Sequence, residues 1–218
     1  MKLGRIMERI CIVTAISFFC NFLTHTMLTE KLSFDTIREK ADPSLNCNLL
    51  DAVWQDAIYF PVPASSSHEA YEVTYENSWM AERTVGGTRG HEGCDLMPQR
   101  EERGYTPVVS ISHGTIENIG WLKLGGYRIG IRSPHGVYFY YAHLSDYASN
   151  FQVGDSITAG MLLGFMGDTG YSEIEGTVGQ FPVHLHLGVY LTIHQKETSI
   201  NPYWMLKELQ DNKIKVSE

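Results

Sequence analysis

Val183-His184-Leu185-His186-Leu187-Gly188-Val189-Tyr190-Leu191, near the end of the 218-residue chain, decides how the rest is read. As a strand, its successive side chains point to opposite faces. Val183, Leu185, Leu187, Val189 and Leu191 then form an unbroken apolar row that packs on a core. His184 and His186 fall together on the other face, roughly 6–7 Å apart at the rise of a strand. Two imidazoles so placed can share a metal or a substrate, and the remaining sequence is searched for what works with them.

Outward from this strand, the pattern between residues 60 and 200 is alternating and punctuated by glycine, with no long helical period. Val73–Trp79, Val108–Ile119, Tyr127–Ile131 and Val137–Ala142 read as strands. Ser133-Pro134-His135-Gly136 forms the turn of a hairpin, with Pro at its second position and Gly at its fourth. The fold class is mainly β, an antiparallel sheet with short N- and C-terminal helices. The first helix is read from Leu49, Leu50, Val53, Trp54, Ala57 and Ile58. The last runs from Trp204 to Leu209, with Asn201 as N-cap and Pro202 at its first position.

The start of the chain has a different character. Lys2, Arg5 and Arg9 precede an apolar run from Ile10 to Leu23, shorter than the ~20 residues that span a bilayer comfortably. Residues 1–27 are read as a signal peptide or membrane anchor, 28–58 as a helical membrane-proximal segment and 59–218 as the main domain. This order places the domain outside the cytoplasm, secreted or membrane-anchored. Net charge is −8 and no dense Lys/Arg run occurs, which excludes a typical nucleic-acid binder. Four cysteines without a C-x-x-C pair supply no disulfide framework, and a Cys47–Cys94 bridge has no support.

Nine histidines are present, and they are not equivalent. His91-Glu92-Gly93-Cys94-Asp95 sets a His and an Asp around a glycine. His143 ends the strand Val137–Ala142 and, by strand parity, shares a face with Phe139 and Tyr141 unless a bulge intervenes. Zinc takes His nitrogens and carboxylate oxygens, and a catalytic site uses three protein ligands. Amide hydrolysis also needs a proton acceptor and a group that stabilises the oxyanion. Three ligands and two helpers match His91, Asp95, His143, His184 and His186; chemistry alone leaves open which three bind metal.

His-x-Gly-x-Asp, then Tyr141-Ala142-His143-Leu144, then Gly167-Asp168-Thr169-Gly170, then His184-Leu185-His186 resembles, in that order, the LytM-type M23 family of zinc metallopeptidases over about residues 86–202. The resemblance implies that His91, Asp95 and His186 bind one Zn2+ ion. It implies that His143 and His184 flank the water and the scissile carbonyl as general base and oxyanion stabiliser. It implies an endopeptidase acting on peptidoglycan peptides of the bacterial cell wall, with the domain at 59–218 as the peptidase. All five positions are present, which favours an active enzyme. The competing reading is a non-catalytic module of the same fold that binds wall peptide or holds a partner in a membrane complex.

Two positions depart from the family's pattern. Cys94 stands where an aliphatic or Thr residue is common, and parity points it away from Asp95, so it is expected to act as a small buried hydrophobe. Gly188 stands where an acidic residue is common. The stretch Tyr171–Phe181 is long and is expected to form a loop over the cleft. Arg89 and Asn77 are candidates to reach the cleft. The Tyr138/Tyr140 and Phe139/Tyr141 rows are read as sheet faces rather than a sugar platform. His113 and His135 are assigned structural roles, and His25, His68 and His194 none in the site.

Overall fold

A computed structural model describes residues 47–65, 71–84 and 87–216. The expected export segment and most of the segment to residue 58 lie outside the described residues. Helix α1 (Cys47–Asp56) is followed by β1 (Ala64–Ser65), β2 (Val73–Tyr75), β3 (Glu82–Arg83), β4 (Arg89–Gly90), β5 (Cys94–Pro98) and β6 (Pro107–Val109). Then come β7 (Gly114–Leu122), β8 (Gly126–Arg132), β9 (Tyr138–Tyr147), β10 (Ser156–Ile157) and β11 (Leu162–Met166). The chain continues with β12 (Leu185–Ile193), β13 (Lys196–Ile200), α2 (Tyr203–Leu209) and β14 (Lys215–Val216).

The main sheet runs β10-β7-β8-β9-β12-β5-β2, and β13 extends β12 while β11 joins β6 to β9. Its pairings are antiparallel; only the small β1–β14 contact is parallel. The expected fold class is the observed one.

Period two governs the sheet. Leu185, Leu187, Val189 and Leu191 of β12 are buried, together with Phe139 and Tyr141 of β9, Ile129 and Ile131 of β8, and Cys94 and Leu96 of β5. These residues make the core on one face and free the other for a cleft. The Tyr141 hydroxyl, carried into that core, is satisfied by the Ile111 amide at 2.8 Å.

Local boundaries differ from the expectation in three places. The stretch Val108–Ile119 is not one strand, because Ser110–His113 turns the chain out between β6 and β7. Ser110 Oγ donates to the Ser112 carbonyl at 2.7 Å, a local bond that competes with a ladder. The stretch Val73–Trp79 pairs only as far as Tyr75. At the far end the cap falls one residue later than expected: Pro202, not Asn201, is the N-cap of α2, and Asn201 before it accepts the Tyr203 amide on its side-chain oxygen at 3.0 Å.

The first helix docks through Asp56, whose carboxylate is buried against the β8–β9 turn. It accepts from Ser133 Oγ at 2.5 Å, from the His135 amide at 2.9 Å and from His135 Nδ1 at 2.7 Å. His113 Nδ1 accepts the Ala159 amide at 3.3 Å, so both histidines have the structural roles expected of them.

Candidate active site

The cleft lies on the polar face of the sheet and holds about 510 Å3. Register builds its centre: His186 of β12 stands opposite Asp95 of β5 on one side and Ala142 of β9 on the other. His91 enters from the turn between β4 and β5, four residues before Asp95. The result is a nearly equilateral triangle of donor atoms. His91 Nε2 lies 2.9 Å from His186 Nδ1, and each nitrogen lies 3.0 Å from Asp95 Oδ1. Within the described residues these are the His, Cys, Asp and Glu side chains that converge closely enough to hold a metal ion.

The surroundings fix what each donor offers. His91 Nδ1 lies 3.0 Å from the Ser78 carbonyl and 3.1 Å from Arg83 Nη2, so the ring is held from behind and Nε2 faces the triangle. Arg83 Nη2 donates to Asp95 Oδ2 at 2.6 Å, which leaves Oδ1 for the triangle. Burial pushes the Asp95 carboxyl upward, but bonds from His186 and His91 and nearby imidazole charge outweigh it and hold it well below the usual carboxylate range. Gly93 is obligatory here, because a Cβ would lie 2.5 Å from His186 Cε1 and 2.6 Å from the Leu187 carbonyl. The glycine between His91 and Asp95 thus seats the His186 ring. Two imidazoles and a carboxylate, partly buried and converging, are a donor set that suits zinc.

His143 and His184 stand beside this triangle, their rings 4.7 Å apart. Each Nδ1 faces a backbone carbonyl at 2.8 Å, Thr169 for His143 and Pro182 for His184. Both rings therefore carry the proton on Nδ1 and turn a bare Nε2 elsewhere. His184 Nε2 lies 3.7 Å from Asp95 Oδ1. Burial, then His184 and His186, push His143 well below the ordinary imidazole range, so it is neutral at physiological pH.

Parity misplaces His143. Phe139 and Tyr141 sit in the core, yet Ala142 and His143 both line the cleft. The cause is a left-handed residue: His143 has φ 62°, and the β9–β11 register shifts as the strand passes this point. His184 also falls just outside β12, held by a single bridge to Gly167.

The other expectations divide. Cys94 is a free, buried thiol whose Sγ donates to the Glu76 carbonyl at 3.2 Å, and burial, then the Asp95 charge, push it up to about 12. It belongs to the core face, as expected. Arg89 lines the cleft; Asn77 does not, and instead accepts from Asn201 at 3.0 Å. Tyr171 reaches the cleft from the long loop, and Phe181 packs on the His143 ring at 4.6 Å. Asp168 anchors that loop, gripped by Arg103 at 2.5 and 2.9 Å and by the Gly179 amide at 2.8 Å.

Sequence reasoning missed Arg83, which holds the outer oxygen of Asp95. The signal available was chemical: a carboxylate with one oxygen on a metal needs a partner for the other. It also undervalued one tyrosine row. Tyr138 and Tyr140 line the cleft with Tyr190, which stands opposite Tyr138 in the β9–β12 register. Gly188 leaves room for the Tyr190 ring, since a Cβ there would lie 2.7 Å from Cε2.

The chain resembles known proteins in sequence and fold. Residues 89–202 match the family model described as peptidase family M23. The chain is 36% identical to the L-Ala–D-Glu endopeptidase of Bacillus subtilis (strain 168) over 159 residues, 71% of this chain and 46% of that protein. It is 38% identical to lysostaphin of Staphylococcus simulans over 104 residues, 47% of this chain and 19% of that protein. The chain thus spans less than half the length of either relative. A crystal structure from Ruminococcus gnavus ATCC 29149, assigned as a glycyl-glycine endopeptidase LytM, is 51% identical with a TM-score of 0.70, covering 76% of this chain and 65% of that one. The match to the family model over half the chain, on the β-sheet that carries the His91–Asp95–His186 triangle, establishes that the chain belongs to peptidase family M23.

Proposed function

We propose that this chain is a zinc-dependent endopeptidase that hydrolyses peptide bonds in bacterial cell-wall peptidoglycan. His91, Asp95 and His186 hold one zinc ion, and His143 and His184 act on the substrate. The observation that carries the reading is the triangle: two imidazole nitrogens and one carboxylate oxygen that converge to 2.9–3.0 Å of one another. Bound there, zinc would polarise the scissile carbonyl and make water a better nucleophile.

The protein's own groups do the rest. A neutral imidazole with a bare Nε2 accepts the proton of the attacking water, and burial keeps His143 in that state. Once protonated on Nε2, that imidazole returns the proton to the leaving amine, and its partner in the His143–His184 pair donates a hydrogen bond to the developing oxyanion in its imidazolium form, which carries a proton on Nε2 as well. The two backbone carbonyls that grip the Nδ1 protons leave Nε2 of each ring as the atom that takes up or gives a proton.

The same reading assigns the cellular arrangement. Residues 1–27 export or anchor the chain, 28–58 stand next to the membrane and 59–218 are the peptidase, facing the wall. Among the described residues no helix is long and apolar enough to cross a membrane.

The test is digestion of purified peptidoglycan by the purified protein, with the released fragments read by mass spectrometry. Soluble peptide fragments are expected with one equivalent of zinc and none with a chelator. A zinc-loaded protein that leaves the wall intact would overturn this reading in favour of a non-catalytic wall-binding or scaffold module.

A further inference from the structure

Two arginines of the cleft take no part in the triangle or the histidine pair. Arg89 arrives from β4 and Arg128 from β8. Among the described residues, three buried side-chain polar atoms lack a hydrogen-bond partner, and two of them are Arg89 Nε and Arg128 Nη1. Buried N–H groups of a cation without an acceptor are costly and ask for an explanation.

The other charges of the cleft are already engaged. Arg83 holds Asp95 at 2.6 Å. Glu197 is taken by Arg132 at 3.2 Å and by Thr192 at 2.7 Å. Glu92 lies on the Tyr190 side, where its backbone carbonyl accepts the phenol at 3.3 Å and its carboxylate also bonds to the phenol and, after burial, helps to push it upward. Both arginines line the same cleft as Tyr140, whose ring stands 6.0 Å from that of His186.

Hydroxyl donors complete the patch. Tyr138 Oη accepts from Asn118 Nδ2 at 3.2 Å, which leaves its own proton to donate. Burial pushes the phenols of Tyr138 and Tyr140 upward, so both stay protonated. Glycines make their seats: a Cβ at Gly125 would collide with Tyr140 Oη and one at Gly130 with Tyr138 Oη.

We propose that Arg89 and Arg128, with the Tyr138 and Tyr140 hydroxyls, form a carboxylate-binding subsite that selects peptides bearing a free carboxylate beside the scissile bond over neutral peptides such as polyglycine. It deepens the peptidase reading and rests on it for the position of that bond. Planar guanidinium groups suit a planar carboxylate, and a neutral peptide could offer them only single carbonyl acceptors, without the opposite charge or the two-oxygen fork. The carboxylate can belong to an acidic residue within the peptide or to a peptide C-terminus.

Titration calorimetry on the zinc-loaded His184→Ala protein separates these sources with three forms of L-Ala-γ-D-Glu-L-Lys. One is free only at the Glu α-carboxylate, one only at the C-terminus, and one is amidated at both. The form with the free Glu carboxylate is expected to bind about tenfold tighter than the doubly amidated form. The Arg89→Met/Arg128→Met double variant, checked for an unchanged melting temperature, is expected to lose that preference while binding the amidated form as before. A preference confined to the C-terminal carboxylate would keep the subsite and name its ligand. Equal binding of all three forms, or a preference that survives the double variant, overturns the proposal. Calorimetry reads binding whether or not the protein cuts, so failure of the peptidase reading appears in the wall digestion and failure of this one in the titration.

Discussion

The triangle and the histidine pair are neighbours built by opposite means. Asp95 and His186 are held by regular ladder pairing, one directly opposite the other across β5 and β12. His143 and His184 are held where the ladder breaks, one on a left-handed residue with φ 62° and one on an isolated bridge ahead of β12. A metal cage needs donor atoms fixed to a few tenths of an ångström, and paired strands supply that rigidity. On the proposed reading, the pair must instead face the space that substrate occupies. Backbone departures turn both rings there, and the loop carbonyls of Thr169 and Pro182 set their tautomers. Non-glycine residues at positive φ carry strain that functional sites often store.

The largest expected effect separates these halves. His186→Ala removes a corner of the triangle and is expected to lose both zinc and activity. His184→Ala is expected to keep zinc at wild-type stoichiometry while kcat falls on the order of 10^2–10^4. Metal analysis by mass spectrometry, beside release of labelled wall fragments, reads both. If the two variants lose zinc alike, the division between cage and pair is wrong.

Arg83 sharpens the same contrast from outside. It touches Asp95 and not the pair, so Arg83→Met is expected to weaken zinc binding about 10–100-fold and to recover activity in excess zinc. Competition with a chromogenic chelator measures the affinity. An unchanged zinc affinity would mean that Asp95 needs no help from the guanidinium.

The difference between the halves also explains what the sequence disclosed. Strand parity works where the ladder is regular, so the buried row of β12 and the cleft-facing His186 were both legible in Val183–Leu191. Parity fails at His143, because the αL backbone that turns its ring leaves no trace in Tyr141-Ala142-His143-Leu144. Arg83 was invisible for another reason. It lies in a two-residue strand with no period to read, and its partner is twelve positions away. The tyrosine row was legible as a sheet face, but which face was open depended on β12 supplying Tyr190 next to it. The export segment lies outside the described residues and stays a reading of charge and hydropathy.

Thr169→Val probes how the pair is held. Thr169 Oγ1 donates to the Leu144 carbonyl at 2.7 Å and accepts the Tyr127 amide at 3.1 Å, while its carbonyl grips His143. Valine keeps the shape and removes both side-chain bonds, which is expected to cost about 1–3 kcal/mol of stability. It is also expected to lower kcat several-fold with zinc content unchanged. A stability loss with kcat intact would show that His143 keeps its orientation without this clamp.

The smallest effect on the site comes from the far side of the sheet. Asp56 is buried against Ser133 and His135, where burial raises its pKa but the bonds from His135 and Ser133 outweigh it and lower the value in the folded state. A carboxyl whose folded pKa lies below its unfolded value of about 3.9 binds its proton more readily when unfolded. Its contribution is therefore fully present above that pH and is lost as pH falls through the folded value. Asp56→Ala is expected to destabilise the protein by about 2 kcal/mol at neutral pH, because it leaves the buried Ser133 hydroxyl without its acceptor. Urea unfolding at a series of pH values should then show a shallower loss of stability on acidification than the wild type below about pH 4. Zinc content and kcat should stay within a factor of about two, since no Asp56 contact reaches the cleft. A variant that loses zinc or activity at undiminished stability would tie α1 to the catalytic face, and the separation between a docking carboxylate and a ligand carboxylate would fall.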